Sequence, residues 1–320
     1  MARRRHNKTE ESALCMAMRN IELLKKGDRV ALVAPARKVS PEEMAPAIAE
    51  LRSWGLDVMV PEGLYKSENQ FAGSDKHRAA LLQGLLDDPN IKAILCCRGG
   101  YGTVRIIDRL DFSHFAEHPK WIVGYSDVTV LHSHLHTLGF PTIHGTMPIN
   151  FSPAESAATE SLRRVLFGEK VDVSWQAETS SVPNREGTAE GVTVGGNLSI
   201  LYSLCGSRSQ IDTHEKILLV EDLDEYLYHI DRMMQCLKRA GMLEGLAGLV
   251  VGGMTDMHDN TVPFGHTAEQ IVMEAVAEYN FPVAFDAPFG HLGDNNLALT
   301  LGRKMRLEVS NSKKSRIFAP

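Results

Sequence analysis

A serine able to act as a nucleophile stands at residue 126, in the stretch Trp121-Ile122-Val123-Gly124-Tyr125-Ser126-Asp127-Val128-Thr129. An apolar run ends at a glycine, the serine follows two residues later, and Val128, Leu131, Leu135 and Leu138 then recur at helical spacing. This pattern predicts a strand, a sharp turn and a helix. On such a turn the hydroxyl is held out of the sheet at the positive end of a helix, where backbone N–H groups receive developing negative charge. Acyl transfer is the chemistry so served. The G-x-S-x-G form of a nucleophile elbow is only half made, because Val128 takes the place of its second glycine. A serine after a strand also serves as a plain helix cap, so its partners must decide.

The hydroxyl needs a general base within hydrogen-bond reach, and the base needs an acid to orient it. Of the thirteen histidines, His132, His134 and His136 fall inside the helix after Ser126 and are expected on its flank, solvated or at an interface. His144, ending a strand of the same domain, and His291, in the Gly- and Pro-constrained loop 285–296, compete as the base. Glu221, directly after the apolar run 216–220, is the candidate acid. The turn Arg98-Gly99-Gly100-Tyr101-Gly102 follows another apolar run. It matches neither G-x-G-x-x-G nor a Walker loop, so a phosphate cradle is a weak reading. Parallel strands bring it to the sheet edge that carries Ser126, where its N–H groups suit an oxyanion hole.

These residues are positioned by alternating strands and helices. Strands are expected at 29–34, 56–60, 91–97, 121–124 and 142–144. Helices are expected after Ser40-Pro41-Glu42-Glu43, which reads as cap, helical proline and capping-box glutamate, and over 75–86 and 154–167. That alternation predicts a doubly wound parallel α/β domain, Rossmann- or flavodoxin-like, over residues 21–167. Residues 1–20 read as a disordered extension and 168–187 as a linker. A smaller mixed α/β domain follows over 188–320, with strands at 216–220 and 246–251, helices at 229–240 and 266–278, and a strand pair within 296–309.

Composition narrows the class. With 320 residues, 43% apolar and 23% charged, the chain has the make-up of a globular protein, and a net charge of −6 disfavours a nucleic-acid surface. Five cysteines, two of them adjacent at 96 and 97, do not read as a disulfide framework. No signal-peptide core or bilayer-length apolar run is found, so a cytoplasmic location is expected.

Several stretches, taken in order, resemble the LD-carboxypeptidase family of muramoyl-tetrapeptide carboxypeptidases and microcin C immunity peptidases. They are Val33-Ala34-Pro35, Cys97 to Gly102, Gly124 to His132, His144-Gly145, Gly195-Gly196-Asn197-Leu198, Val220-Glu221-Asp222, Tyr228 to Met233, and Phe289-Gly290-His291 with Asn295. The resemblance implies a triad of Ser126, Glu221 and His291, preferring His291 to His144, with backbone N–H groups of Gly100 and Asp127 as the oxyanion hole. It implies no metal and no cofactor, a murein tetrapeptide cut before its terminal D-alanine during cell-wall recycling, and a homodimer. The substrate's free carboxylate calls for a cation, for which Arg98 and Arg232 are candidates. Thr146 and Asp224 depart from the family's usual proline and glycine and bear on the substrate pocket.

Three rivals stand beside this reading. A microcin-type peptidase would act on a peptidyl or aminoacyl nucleotide, with Trp175 offered to stack the base. A metal hydrolase would use His132 with His136, or Asp256, His258 and Asp259. A non-catalytic binding protein would keep the fold alone.

Overall fold

The computed structural model describes residues 18–152 and 156–320. In the first sheet β1 (Arg29–Val33), β2 (Asp57–Met59), β3 (Ile91–Cys96), β4 (Trp121–Gly124) and β5 (Thr142–His144) run parallel, in the order β5-β4-β3-β1-β2. β4 is buried along its whole length and β3 nearly so, as strands covered on both faces must be. The covering helices of this half are α1 (Pro41–Ser53), α2 (Asp75–Asp87), α3 (Ser113–Glu117), α4 (Thr129–Thr137) and α5 (Ala157–Leu166). α1 begins where its capping box is written. Ser40 Oγ accepts the Glu43 N–H at 3.2 Å and Glu43 Oε2 accepts the Ser40 N–H at 2.8 Å. Met44, Ala47 and Leu51 then face the core, and the helix continues through Pro46.

The second sheet is mixed. β6 (Asp172–Trp175), β7 (Gly187–Asn197), β8 (Lys216–Leu223), β9 (Gly248–Thr255), β10 (Val283–Ala284), β12 (Lys304–Val309) and β13 (Ser315–Phe318) lie in the order β10-β9-β8-β7-β12-β13-β6. The four from β10 to β7 are parallel and the other three antiparallel. Helices α6 (Leu198–Ser203), α7 (Leu227–Arg239) and α8 (Ala268–Ala275) belong to this half. The architecture is α/β throughout.

The structure differs from the sequence expectation in several places, and β7, α6, β10 and β13 are elements that the sequence reading did not foresee. β11 (Leu299–Leu301) and β12 do not pair with each other. β11 joins the first sheet antiparallel to β5, while β12 lies beside β7, so the turn at 302–303 hands the chain from one sheet to the other. Within 168–187, expected as a linker, Asp172–Trp175 forms the edge strand β6. Trp175 is buried there, donating from Nε1 to the Phe285 carbonyl at 2.8 Å, which leaves its face unavailable for a nucleotide base. Residues 1–17 of the expected extension, and 154–155 of the expected helix 154–167, lie outside the described residues. Arg19, by contrast, is anchored by its N–H on the Gly139 carbonyl at 2.9 Å.

The halves meet where the chemistry is expected. The Asn197 N–H at the end of β7 donates to Thr129 Oγ1, in the first turn of α4, at 3.0 Å. The C-terminal ends of β7 and β8 are thereby fixed against the helix that follows Ser126.

Candidate active site

β4 ends at Gly124, and Ser126 has a φ of 61°. This is the left-handed region that non-glycine residues rarely occupy, and at sites it accompanies a side chain that the chain must present sharply. A short 3-10 turn over Ser126–Val128 leads into α4. The turn after β3 closes over the serine. A Cβ on Gly99 would stand 3.1 Å from Ser126 Oγ and 3.4 Å from the Asp127 nitrogen, so a side chain there would crowd the hydroxyl. The same turn is tied to the elbow by the buried Asp127 carboxylate, whose Oδ2 accepts the Thr103 N–H at 2.9 Å and the Thr103 hydroxyl at 2.6 Å. Burial raises the Asp127 carboxyl pKa, outweighing the two Thr103 hydrogen bonds that oppose it.

The candidate acid lies in the second sheet and the candidate base in the loop that follows β10. Glu221, in β8, is fully buried, and its Oε2 accepts from His291 Nδ1 at 2.7 Å. The other oxygen, Oε1, has no hydrogen-bond partner. Burial lowers the His291 pKa, but the Glu221 hydrogen bond and charge, with the charge of Asp222, outweigh it and leave the imidazole raised above its ordinary 6.5. Next along β8, burial and the Glu221 charge push the Asp222 carboxyl up to about 7. Asp222 accepts from Asn197 Nδ2 at 2.9 Å and from the Ser199 N–H at 2.8 Å.

The His291 loop is fixed at several points. The Gly290 N–H donates to Asn296 Oδ1 at 2.9 Å, the Gly253 N–H to the Phe289 carbonyl at 3.0 Å, and Asp286 accepts the N–H groups of residues 178–180. Tyr125, beside Ser126 in the chain, meets the His291 ring edge-on at 4.9 Å between centroids. The imidazole thus packs against the buried aromatic neighbour of the serine.

Gly290 limits this geometry. Its φ is 96°, and a Cβ would fall 2.6 Å from both Cγ and Oε2 of Glu221. Gly290→Ala is expected to lower stability by about 1–3 kcal/mol and kcat by roughly 100-fold, since displacing a catalytic group by about 1 Å costs that much. Thermal melts and steady-state rates on the same preparation check both.

The helix histidines lie at an interface, the second of the two expectations, and not on a solvated flank. His132 is buried, with its Nε2–H on the Gly124 carbonyl at 2.9 Å, and His134 Nδ1 lies 2.9 Å from Ser209 Oγ. α4 is covered on both sides, by the first sheet and by β7, which the sequence of one helix does not reveal. His144 is fully buried beside Tyr125 and Phe289, without a partner on either ring nitrogen. Burial, then the charges of His132 and His291, push it down to about 3, and burial pushes His132 down to about 4. Both are expected to stay neutral from pH 8 down to pH 5 in an NMR titration of imidazole Cε1–H signals. Because an unfolded histidine takes up a proton near 6.5, each subtracts stability as pH falls below that value. Titration of either ring near 6.5 in the folded protein would contradict this.

The remaining candidates fall as follows. Arg98 Nη1 is 3.4 Å from Glu43 Oε1, and the Arg232 guanidinium lies 5.2 Å over the Tyr228 ring. Asp224 takes a φ of 60°, the conformation that glycine adopts freely and aspartate tolerates, and pairs with His258 at 2.5 Å. Asp259 caps its own loop at Asn260 and Phe264. Among the described residues no three His, Cys, Asp or Glu side chains gather in a metal-holding group. Sequence reasoning did not single out Tyr125, Thr103 or Thr129, whose roles arise only from tertiary contact.

Comparison with known proteins bears on what this arrangement does. Residues 30–145 match the sequence model of the LD-carboxypeptidase N-terminal domain, and residues 190–307 that of the LD-carboxypeptidase C-terminal domain. The chain belongs to the LD-carboxypeptidase family. It is 34% identical over 296 residues to the probable murein peptide carboxypeptidase of Bacillus subtilis, covering 90% of this chain and 91% of that one. With the murein tetrapeptide carboxypeptidase of Pseudomonas aeruginosa it shares 28% identity, over 88% and 93% of the two chains. The crystal structure of muramoyltetrapeptide carboxypeptidase from Oxalobacter formigenes superposes with a TM-score of 0.80 at 26% identity, over 91% of this chain and 98% of that one. This member of the LD-carboxypeptidase family is therefore a serine-type carboxypeptidase, a hydrolase of peptide substrates. No helix among its described residues is long and apolar enough to cross a membrane.

Proposed function

We propose that the protein removes the terminal D-alanine from murein tetrapeptides, cutting the bond between an L-diamino acid centre and D-alanine by an acyl-enzyme mechanism. The observation that carries this reading is the 2.7 Å contact between His291 Nδ1 and the buried Glu221 carboxylate, beside a serine held in a left-handed turn. With Nδ1 engaged, the Nε2 of His291 is left to accept the Ser126 proton as the hydroxyl attacks the scissile carbonyl carbon. Glu221 orients the ring and stabilises its cation. The N–H groups of Gly100 and Asp127 receive the oxyanion, in keeping with the closeness of the Gly99 turn to Ser126. His291 then protonates the leaving amine of D-alanine, and a water activated by the same imidazole releases the shortened peptide.

The reading extends to a homodimer working in the cytoplasm, where imported murein fragments are recycled. Light scattering and cell fractionation test those two parts. The reaction is tested by incubating the purified protein with the tetrapeptide, with its counterpart ending in L-alanine, and with an aminoacyl adenylate. Alanine release from the D-alanine peptide alone supports the proposal. Turnover of the adenylate alone transfers the site to a nucleotide-linked substrate, and release from both peptides removes the stereochemical part.

A further inference from the structure

A carboxypeptidase must recognise a terminal carboxylate within a few ångströms of the bond it breaks. The leaving residue's α-carboxyl carbon is only three bonds from the scissile carbonyl carbon, so standard bond lengths keep the two within about 4 Å. A cation for it must therefore stand beside the turn that faces Ser126. The arginines around this sheet edge are mostly engaged. Arg98 pairs with Glu43, and Arg78 and Arg105 both pair with Asp75. Arg232 is stacked on Tyr228 in the other half.

Arg37 is different. It follows β1 at the C-terminal edge of the first sheet, is exposed, and has no hydrogen bond or ion pair to a side chain among the described residues. Its side chain runs across the oxyanion turn. A Cβ on Gly100 would lie 2.3 Å from Arg37 Cδ and 3.1 Å from its Nε, so the guanidinium is carried on the residue next to Gly99, whose own Cβ position is 3.1 Å from Ser126 Oγ. The loop beneath it is held in place. Residue 37 bridges to Phe71, the Lys38 N–H donates to the Gln70 carbonyl at 3.0 Å, and the Ala72 N–H to the Ala36 carbonyl at 3.1 Å. A fixed backbone, an unpaired planar fork of donors and a place beside the oxyanion turn are what bidentate recognition of a carboxylate requires.

We propose that Arg37 binds the free α-carboxylate of the departing residue and so makes the site selective for the end of a peptide. The assignment rests on the carboxypeptidase reading above. It also accounts for glycine at 100, since any side chain there would displace the Arg37 stem.

The test compares the tetrapeptide with its C-terminal amide, using wild type, Arg37→Ala, Arg37→Lys, and Arg98→Ala and Arg232→Ala as controls. Wild type should prefer the free acid. Arg37→Ala should lower kcat/KM for the acid by about 10- to 100-fold, the range for loss of a charge-assisted hydrogen bond, mostly through KM. The amide rate should change by less than about threefold, erasing the preference. Arg37→Lys should recover part of it, and the two controls should keep it. Equal losses on acid and amide would reduce Arg37 to a structural support for the turn, and an undiminished preference for the acid would remove it altogether. Inactivity of wild type on both peptides would instead sink the carboxypeptidase reading, and this assignment with it.

Discussion

Exchanging Ser126 for alanine is expected to lower kcat on the tetrapeptide by about 10⁴- to 10⁶-fold, as removal of the nucleophile does in other serine hydrolases, with the thermal midpoint nearly unchanged. The hydroxyl makes no hydrogen bond that the fold depends on among the described residues, and the bond Ser126 does make, its carbonyl accepting the Thr129 N–H, belongs to the backbone and survives the exchange. Serine and alanine are also close in the cost of a left-handed φ, which at 61° the turn imposes on either. Stability and activity therefore separate in this variant. A folded variant keeping a tenth of the wild-type rate would assign the nucleophile elsewhere.

Glu221→Gln is the second large effect, with kcat reduced by roughly 10⁴-fold, the loss seen when a triad carboxylate becomes an amide. The shape is kept, and the new amide oxygen can still accept from Nδ1, but the charge that stabilises the imidazolium is gone. The pH profile adds a signed test. In wild type His291 must be neutral to act, and its pKa is raised above 6.5, so kcat/KM should climb with pH on an acid limb above that value. In Glu221→Gln the largest upward influence is lost while burial, which lowers the pKa, remains, so the limb should move to lower pH. An unmoved limb would mean that another group controls it.

The elbow was legible because a nearly continuous apolar strand, a glycine and a helical repeat fall within the eighteen residues Trp121 to Leu138, and local sequence dictates each of them. The capping box at Ser40 to Glu43 marked α1 for the same reason. β7 was not legible. Gly187–Asn197 contains four glycines, and its second half is buried without regular alternation because, between its sheet neighbours β8 and β12, it is packed against by α4 and α6. β6 was hidden in a polar stretch because an edge strand needs only every second residue buried, here Val173 and Trp175. The transfer of β11 into the first sheet depends on a pairing with β5 more than 150 residues away. At the site, residue types pointed to Ser126, Glu221 and the two competing histidines. The contact that favours His291, the Glu221 carboxylate on its Nδ1, is likewise long-range, and so is the placing of Arg37 over Gly100.

The most direct test of a serine acyl-enzyme is turnover of a depsipeptide analogue in which D-lactate replaces the terminal D-alanine. An ester acylates faster than an amide, so release of the acyl group becomes the slow step. The account predicts a burst of about one D-lactate per active site, a protein mass increased by the acyl-peptide, and that increase mapped to the proteolytic fragment containing Ser126 and missing in Ser126→Ala. Linear release from the first turnover with no adduct, at a rate that Ser126→Ala preserves, would contradict it.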